Sequence, residues 1–379
     1  MLTKHLLSPL LLLALLVTTQ ISIAAIPSAP QLDARSLILI DFNSGKVLAE
    51  KNADKKLAPA SLTKIMTAFV VFREINQGNL SLEETSRISE KAWRTPGSRM
   101  FIEVNKRVSI DQLLHGMLVQ SGNDASVALA EHIAGDESTF AQMMNLHAEK
   151  LGMKNSHFVN STGLPHKDHY TTAKDLSILT RALIKESPEL YKLNAIKEYT
   201  FNGITQKNRN KLLWRDATVD GVKTGHTEEA GYCLVASSVR DDMRLISVVM
   251  GTESMAARND DNQALLNYGY RFYKTYLLYK AGEILANTRI WKGSQNTLPV
   301  GLKNDLYITI PRNQYKNLDA QLNFDDHIMA PLKTGQTVGN ARISLNNDVI
   351  VKTPLFALKN IEEGSFFEVM KDKALLLLE

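Results

Sequence analysis

The sequence predicts an α/β (α+β) chain in which an antiparallel sheet is flanked by helices and followed by a small all-β domain and a short amphipathic helix. Three observations carry this. Apolar residues recur at helical spacing in several segments between Ile65 and Ile184. Residues 232–239 and 244–250 are strand-like runs joined by Asp241-Asp242, which makes them neighbours in an antiparallel sheet. From about Asn287, helical spacing gives way to short alternating runs separated by Gly, Asn and Asp.

The chain opens on a leader. Lys4 and His5 give a short positive start, residues 6–17 are apolar apart from Ser8 and Pro9, and Ser22-Ile23-Ala24 sets small residues at the spacing a signal peptidase reads. The apolar core is shorter than the ~20 residues a spanning helix needs, which favours cleavage near Ala25 and export over a retained anchor. The chain has ordinary globular composition, 44% hydrophobic and 22% charged. Beyond the leader it divides into residues 30–284, a β-rich domain over 285–362 and a tail over 363–379. A formal charge of +4 without a basic stripe gives no basis for nucleic-acid binding. Cys233 is the sole cysteine, so no intramolecular disulfide forms. It sits in a strand-like apolar run and reads as buried and inert.

Residues 36–40 and 46–50 form a hairpin about Asn43-Ser44-Gly45, leading to a helix that begins near Pro59 and Ser61. Residues 85–99 are polar, contain Pro96-Gly97 and read as an excursion. Helices come next over 109–119, with Ile110, Leu113, Leu114, Met117 and Leu118 on one face, and over 125–134, ending at Gly135. Ser121-Gly122-Asn123 breaks the chain between them, and Asn123 or Asp124 suits an N-cap. Further helices are expected over 138–151, 175–184 and 261–279, the last closing the first domain. His166 and His169 have no third ligand at a standard offset, so they read as a solvated loop. Glu189 sits near Leu193-Asn194 with one residue too many for a deacylating glutamate motif, and reads as a surface acid. In the tail, Phe366, Phe367, Met370, Ala374, Leu377 and Leu378 share a helical face, which suits either a membrane surface or docking on the chain's own domain.

Ser61 and Lys64 stand three residues apart, one turn on a common helix face. A serine needs a base to become a nucleophile. A lysine at its free pKa of about 10.4 is a poor one, and lowering it to about 7 requires roughly 4–5 kcal/mol of selective destabilisation of the ammonium. A helix N-terminus contributes only about 0.3–1 kcal/mol, so burial and a second cation are required. Lys223, in Lys223-Thr224-Gly225-His226 on or beside a sheet strand, is the candidate second cation. Gly225 leaves room for an extended peptide to approach that edge. Each motif alone also fits a cap or a solvated lysine. A second Lys333-Thr334-Gly335, in a turn between short strands, is a decoy.

Taken together, S-x-x-K at Ser61, S-x-N at Ser121 and K-T-G at Lys223 occur in the order and contexts of penicillin-binding proteins and class A β-lactamases, a transpeptidase/β-lactamase-like fold. The middle motif here is S-G-N. With Ile40-Asp41-Phe42-Asn43-Ser44-Gly45 and Asn208-Arg209-Asn210, the chain resembles the low-molecular-mass penicillin-binding proteins that are D-alanyl-D-alanine carboxypeptidases. The resemblance covers nearly everything after the leader and extends into the tail, which is shorter than the anchors of that family. It implies a periplasmic or envelope enzyme, peripheral on the outer face of the cytoplasmic membrane, that trims peptidoglycan pentapeptide stems and takes part in cell-shape control. Neither metal nor organic cofactor is called for.

The resemblance also implies roles. Ser61 is the nucleophile, Lys64 the general base and Ser121 a proton relay to the leaving D-alanine. Asn123 holds the substrate amide. Lys223, Thr224 and Arg209 take the terminal carboxylate at a sheet edge that includes Gly225, and the backbone N–H groups of Ser61 and His226 form the oxyanion hole. β-Lactams are the expected covalent inhibitors. A D,D-endopeptidase or a β-lactamase on the same fold, and a non-catalytic peptidoglycan-binding envelope protein, remain alternatives.

Overall fold

The structure, a computed structural model, describes residues 26–378. The expected leader lies outside them.

Strands of the main sheet are apolar on both faces because each face meets its own core. Along Ser36–Asp41, Ile38 and Ile40 enter one core and Leu37 and Leu39 the other. Cys233 and Val235 oppose Leu234 and Ala236 along Gly231–Arg240, and Ile246 and Val248 oppose Leu245 and Val249 along Met243–Thr252. The antiparallel order is Val47–Lys51, Ser36–Asp41, Met243–Thr252, Gly231–Arg240, Val219–Thr227. Val219–Thr227, which carries Lys223 and Thr224, is therefore an edge strand. Helix Met255–Phe272 packs Leu265 and Leu266 on one face of the sheet.

The other face carries the helical layer, with Lys64–Asn76 at its centre. Every residue of that helix from Lys64 to Phe72 is buried, as befits a helix surrounded by others. Helices Ile110–Val119, Asn123–Ala134, Glu137–Leu151 and Ala173–Glu186 pack against it. Ser109 starts the first of these with a capping box to Gln112.

Two expectations are corrected. The helix placed over 261–279 runs instead from Met255 to Phe272, and Tyr273–Tyr279 is a strand paired antiparallel with Leu306–Pro311. Three tyrosines and Thr275 favour an extended strand there, and pairing with Leu306–Pro311 outweighs the helical spacing. The helix after Ser121 starts at Asn123, and its N-cap position is Gly122, with no side-chain cap from Asn123 or Asp124. The excursion over 85–99 includes the short strand Thr85–Arg87 and helix Glu90–Arg94.

The C-terminal part is a five-stranded antiparallel sheet, in the order Ala286–Arg289, Thr297–Gly301, Asp348–Ala357, Thr337–Leu345, Leu318–Phe324, around its own core of Leu298, Val300, Ala341 and Leu355. Hydroxyls tie it to the first domain: Thr275 Oγ1 donates to Asp41 Oδ2 at 2.6 Å, and Ser44 Oγ lies 2.6 Å from Thr309 Oγ1. Lys333-Thr334-Gly335 sits in an exposed turn of this domain.

The tail forms the helix Phe366–Leu376, closed by a capping box between Ser365 and Glu368. It turns Asp372 inward, where the carboxylate accepts from Lys292 N–H at 2.5 Å and faces Arg289. Phe366, Phe367, Met370, Leu377 and Leu378 stand exposed. Among the described residues, no helix is long and apolar enough to cross a membrane.

Phe69→Ala, in the surrounded helix, should lower stability by about 3–5 kcal/mol in urea unfolding. Phe367→Ala, on the outward face of the tail, should change it by less than about 0.5 kcal/mol.

Candidate active site

The nucleophile candidate sits on a turn held open by two glycines. Ala60–Thr63 is a 3₁₀ turn that runs directly into helix Lys64–Asn76, and Ala60 has φ +48°, a left-handed conformation unusual for alanine. Gly163 (φ +87°) packs so close that a Cβ there would stand 1.8 Å from the Ala60 carbonyl oxygen. A Cβ at Gly225 would meet Pro59 O at 2.9 Å and Leu62 N at 3.2 Å. Gly225 was expected to make room for substrate; its lack of a side chain first lets the sheet edge meet the Ser61 turn.

Lys64 is fully buried. Its Nζ donates to Asn123 Oδ1 at 2.6 Å and to the Thr162 carbonyl at 2.7 Å, and stands 3.1 Å from Ser61 Oγ. Burial, then the Arg209 guanidinium, pushes the amine down to about 7, against the opposing pull of Asp124 and Glu137. The sequence reading assigned the second cation to Lys223. Arg209 is a further cation beside Lys64, and Lys64 and Lys223 repel one another; burial, Lys64, Arg209 and Arg258 hold Lys223 well below the usual lysine range.

Lys223 reaches from the edge strand to donate to Ser121 Oγ at 2.8 Å and to Thr224 O at 3.1 Å. Ser121 carries φ +70° at the break between helices, and this aims its hydroxyl into the same space as Ser61. Asn123 is engaged at both ends of its amide: Oδ1 accepts from Lys64, and Nδ2 donates to Pro96 O at 2.6 Å. It therefore fixes the Lys64 amine relative to the Pro96 loop. Its neighbour Asp124 accepts from the N–H groups of Met100 and Phe101, both at 2.9 Å, and so shapes the loop beside the cleft.

These groups open on a cleft of about 330 Å³ lined by Ser61, Ser121, Arg209, Thr224, His226 and Arg258, with Lys207 and Lys211 among the others. Among the described residues the lining holds several cations and no carboxylate, which suits an anionic ligand. His226 is exposed, and its ring lies 4.0 Å from that of Tyr232. A second cleft of similar volume, between the sheet and helix Ala173–Glu186, shares no residue with this one.

The structure thus gathers Ser61, Lys64, Ser121, Asn123, Arg209, Lys223, Thr224, Gly225 and His226 around one space. Sequence reasoning missed Thr162, Asp124, Arg258 and His169. His169, read as solvated, is buried against Thr63. Glu189 is a surface acid paired with Lys192 at 2.6 Å, as expected. Cys233 is buried, and burial pushes its thiol up to about 11.

Fold and site together define a serine acyl-transfer enzyme of penicillin-binding architecture. The chain belongs to the D-alanyl-D-alanine carboxypeptidase family, whose model matches residues 23–254, and the model described as the penicillin-binding protein 5 C-terminal domain matches residues 273–363. The D-alanyl-D-alanine carboxypeptidase DacA of Escherichia coli K12 is 43% identical over 351 residues, covering 90% of this chain and 87% of the relative. Penicillin-binding protein 5 of Haemophilus influenzae superposes with TM-score 0.86 at 38% identity, over 89% of this chain and all of that one. Penicillin-binding protein D2 of Listeria monocytogenes, solved with ampicillin bound, matches at TM-score 0.60 and 32% identity over 64% of this chain and all of that one.

Gly163→Ala should displace the Ala60 carbonyl and slow acylation by a fluorescent penicillin at least tenfold. Gly203→Ala, also at positive φ but with open space around it, should label like the parent. Gel fluorescence against time reads both.

Proposed function

We propose that this chain is a serine-type D-Ala-D-Ala carboxypeptidase that removes the terminal D-alanine from peptidoglycan pentapeptide stems through an acyl-enzyme on Ser61. The observation that carries the mechanism is the setting of Lys64. A neutral amine has two N–H donors and one lone pair. Asn123 Oδ1 and the Thr162 carbonyl can only accept, so they take the two donors, and the lone pair is left for the Ser61 hydroxyl at 3.1 Å.

Ser61 Oγ attacks the carbonyl carbon between the two terminal D-alanines while its proton passes to Lys64. The backbone N–H groups of Ser61 and His226 hold the resulting oxyanion. Collapse breaks the C–N bond, and the Ser121 hydroxyl relays a proton to the departing nitrogen. Water then attacks the ester, releasing the shortened stem and restoring the Ser61 hydroxyl. Lys223, Thr224 and Arg209 bind the terminal carboxylate. Its negative charge supplies the counter-ion that buried Lys223 otherwise lacks, so binding favours the ammonium form.

The cationic cleft favours a leaving group with a free carboxylate beside the scissile nitrogen, as the terminal D-alanine has. Glu189, paired with Lys192 at the surface, supplies no deacylating base of the class A β-lactamase kind. β-Lactams, which carry an acyl group beside a carboxylate, acylate Ser61 and inhibit. The protein works in the cell envelope, and the outward Phe366, Phe367, Met370, Leu377 and Leu378 give it reversible contact with a membrane surface.

A peptide ending in D-Ala-D-Ala should release D-alanine, and benzylpenicillin should add its full mass to the Ser61 peptide. Ser61→Ala should abolish both while leaving the melting temperature near that of the parent. An adduct on any other residue would remove Ser61 as the nucleophile.

A further inference from the structure

The structure assigns His169 a part in the reaction although it lies outside the cleft lining: we propose that it is a positioning residue for the oxyanion hole, acting through Thr63 and the Ala60–Ser61 peptide. The inference rests on the reading of Ser61 as nucleophile.

His169 is buried, and its two ring nitrogens face partners that fix the tautomer. Val159 N–H donates to Nδ1 at 3.2 Å, so Nδ1 carries no hydrogen and the proton is on Nε2. Nε2 lies 2.8 Å from Thr63 Oγ1. The Thr63 hydroxyl donates to the Ala60 carbonyl at 2.8 Å and is thereby left to accept from Nε2–H. The bonds run one way: Val159 N–H to His169, His169 to Thr63, Thr63 to the Ala60 carbonyl.

That carbonyl belongs to the same peptide unit as the Ser61 N–H. In a trans peptide the two point in opposite directions, so a hydroxyl gripping the oxygen from behind turns the N–H toward the other side. It also withdraws charge from the peptide and makes the N–H a stronger donor, as bonds in a chain polarise one another. The grip is needed because Ala60 sits at φ +48°, a conformation its own side chain disfavours. Helix Lys64–Asn76 begins immediately after Thr63 and cannot itself orient the peptide before it.

The imidazole suits this use because it stays neutral. Burial, with His157 and His166 nearby, pushes it down to about 4, against Glu137, and the Phe158 ring packs against it at 5.7 Å. A proton on Nδ1 would face the Val159 N–H and break the relay. The segment that carries Val159 also carries Thr162, whose carbonyl holds Lys64, so one loop orients both the base and the oxyanion donor.

The test uses the full chain with three variants: His169→Ala, Thr63→Val, which removes the hydroxyl at nearly constant volume, and His169→Gln, which keeps an N–H donor near the Nε2 position. Two quantities are measured at pH 7.5: the rate of Ser61 acylation by benzylpenicillin, and the affinity for a D-alanine-like peptide boronic acid, which forms a tetrahedral anion on the serine. His169→Ala and Thr63→Val should each slow acylation about 10–50-fold and weaken boronate binding by a similar factor, with non-covalent binding of the peptide substrate to a Ser61→Ala background changed less than threefold. The double variant should be no worse than its more severe parent, and His169→Gln should recover to within about threefold of the starting protein. Acylation and boronate binding within twofold of the parent in folded Thr63→Val would overturn the proposal, as would losses that multiply in the double variant. If His169→Ala does not fold, Thr63→Val and His169→Gln decide alone. A parent protein that benzylpenicillin does not acylate would instead count against Ser61 as nucleophile.

Discussion

A lysine amine enclosed with no carboxylate at hydrogen-bond distance among the described residues is the constraint on which this molecule depends. Lys64 cannot hold a full ammonium charge cheaply in that position, and Arg209 makes the charge less welcome still. The site resolves the difficulty by giving the neutral form everything it can use: two acceptors for its two hydrogens and a serine hydroxyl for its lone pair. Desolvation that would be a liability elsewhere here frees the amine of its proton near neutral pH.

Holding that arrangement requires three separate pieces of chain to meet at one point. The Ser61 turn comes from the start of the surrounded helix, Ser121 and Asn123 from a break between two helices, and Lys223 from an edge strand. Their contacts are close enough that Gly163 and Gly225 cannot carry a Cβ without moving the backbone of the Ser61 turn. The positive φ values at Ala60 and Ser121 place backbone strain beside the reacting groups, where surrounding structure must over-determine it. The two-cored sheet and the buried helix supply that rigidity.

Much of this was legible in the chain itself. Strand-like apolar runs joined by short turns pointed to the main sheet, alternation to the C-terminal one, helical spacing to the layer around Lys64, and the three motifs in order to the cleft. The helix over 261–279 misled because Tyr273–Tyr279 is aromatic-rich and partly buried, a texture that fits either state until its partner Leu306–Pro311, some thirty residues on, is known. His169 was illegible for a different reason. A histidine two residues from an exposed lysine looks solvated, and only tertiary contact brings it to Thr63, more than a hundred positions away. Thr162 acts through its carbonyl, which no side-chain pattern encodes. Lys223 was expected as a second cation beside Lys64 from the motif that stands out, whereas Arg209 adds another from an irregular segment that no spacing flags.

The most direct test of the account is the pH dependence of Ser61 acylation by benzylpenicillin, measured by intact mass on rapidly quenched samples between pH 5 and 9.5. Acylation needs the neutral amine, and burial lowers the pH at which that form appears. The rate should therefore rise with pH, reach half its maximum near 7 and level off above about 8. A rate flat from pH 5 upward, or one still climbing at 9.5 as for an ordinary lysine, would contradict Lys64 as the base.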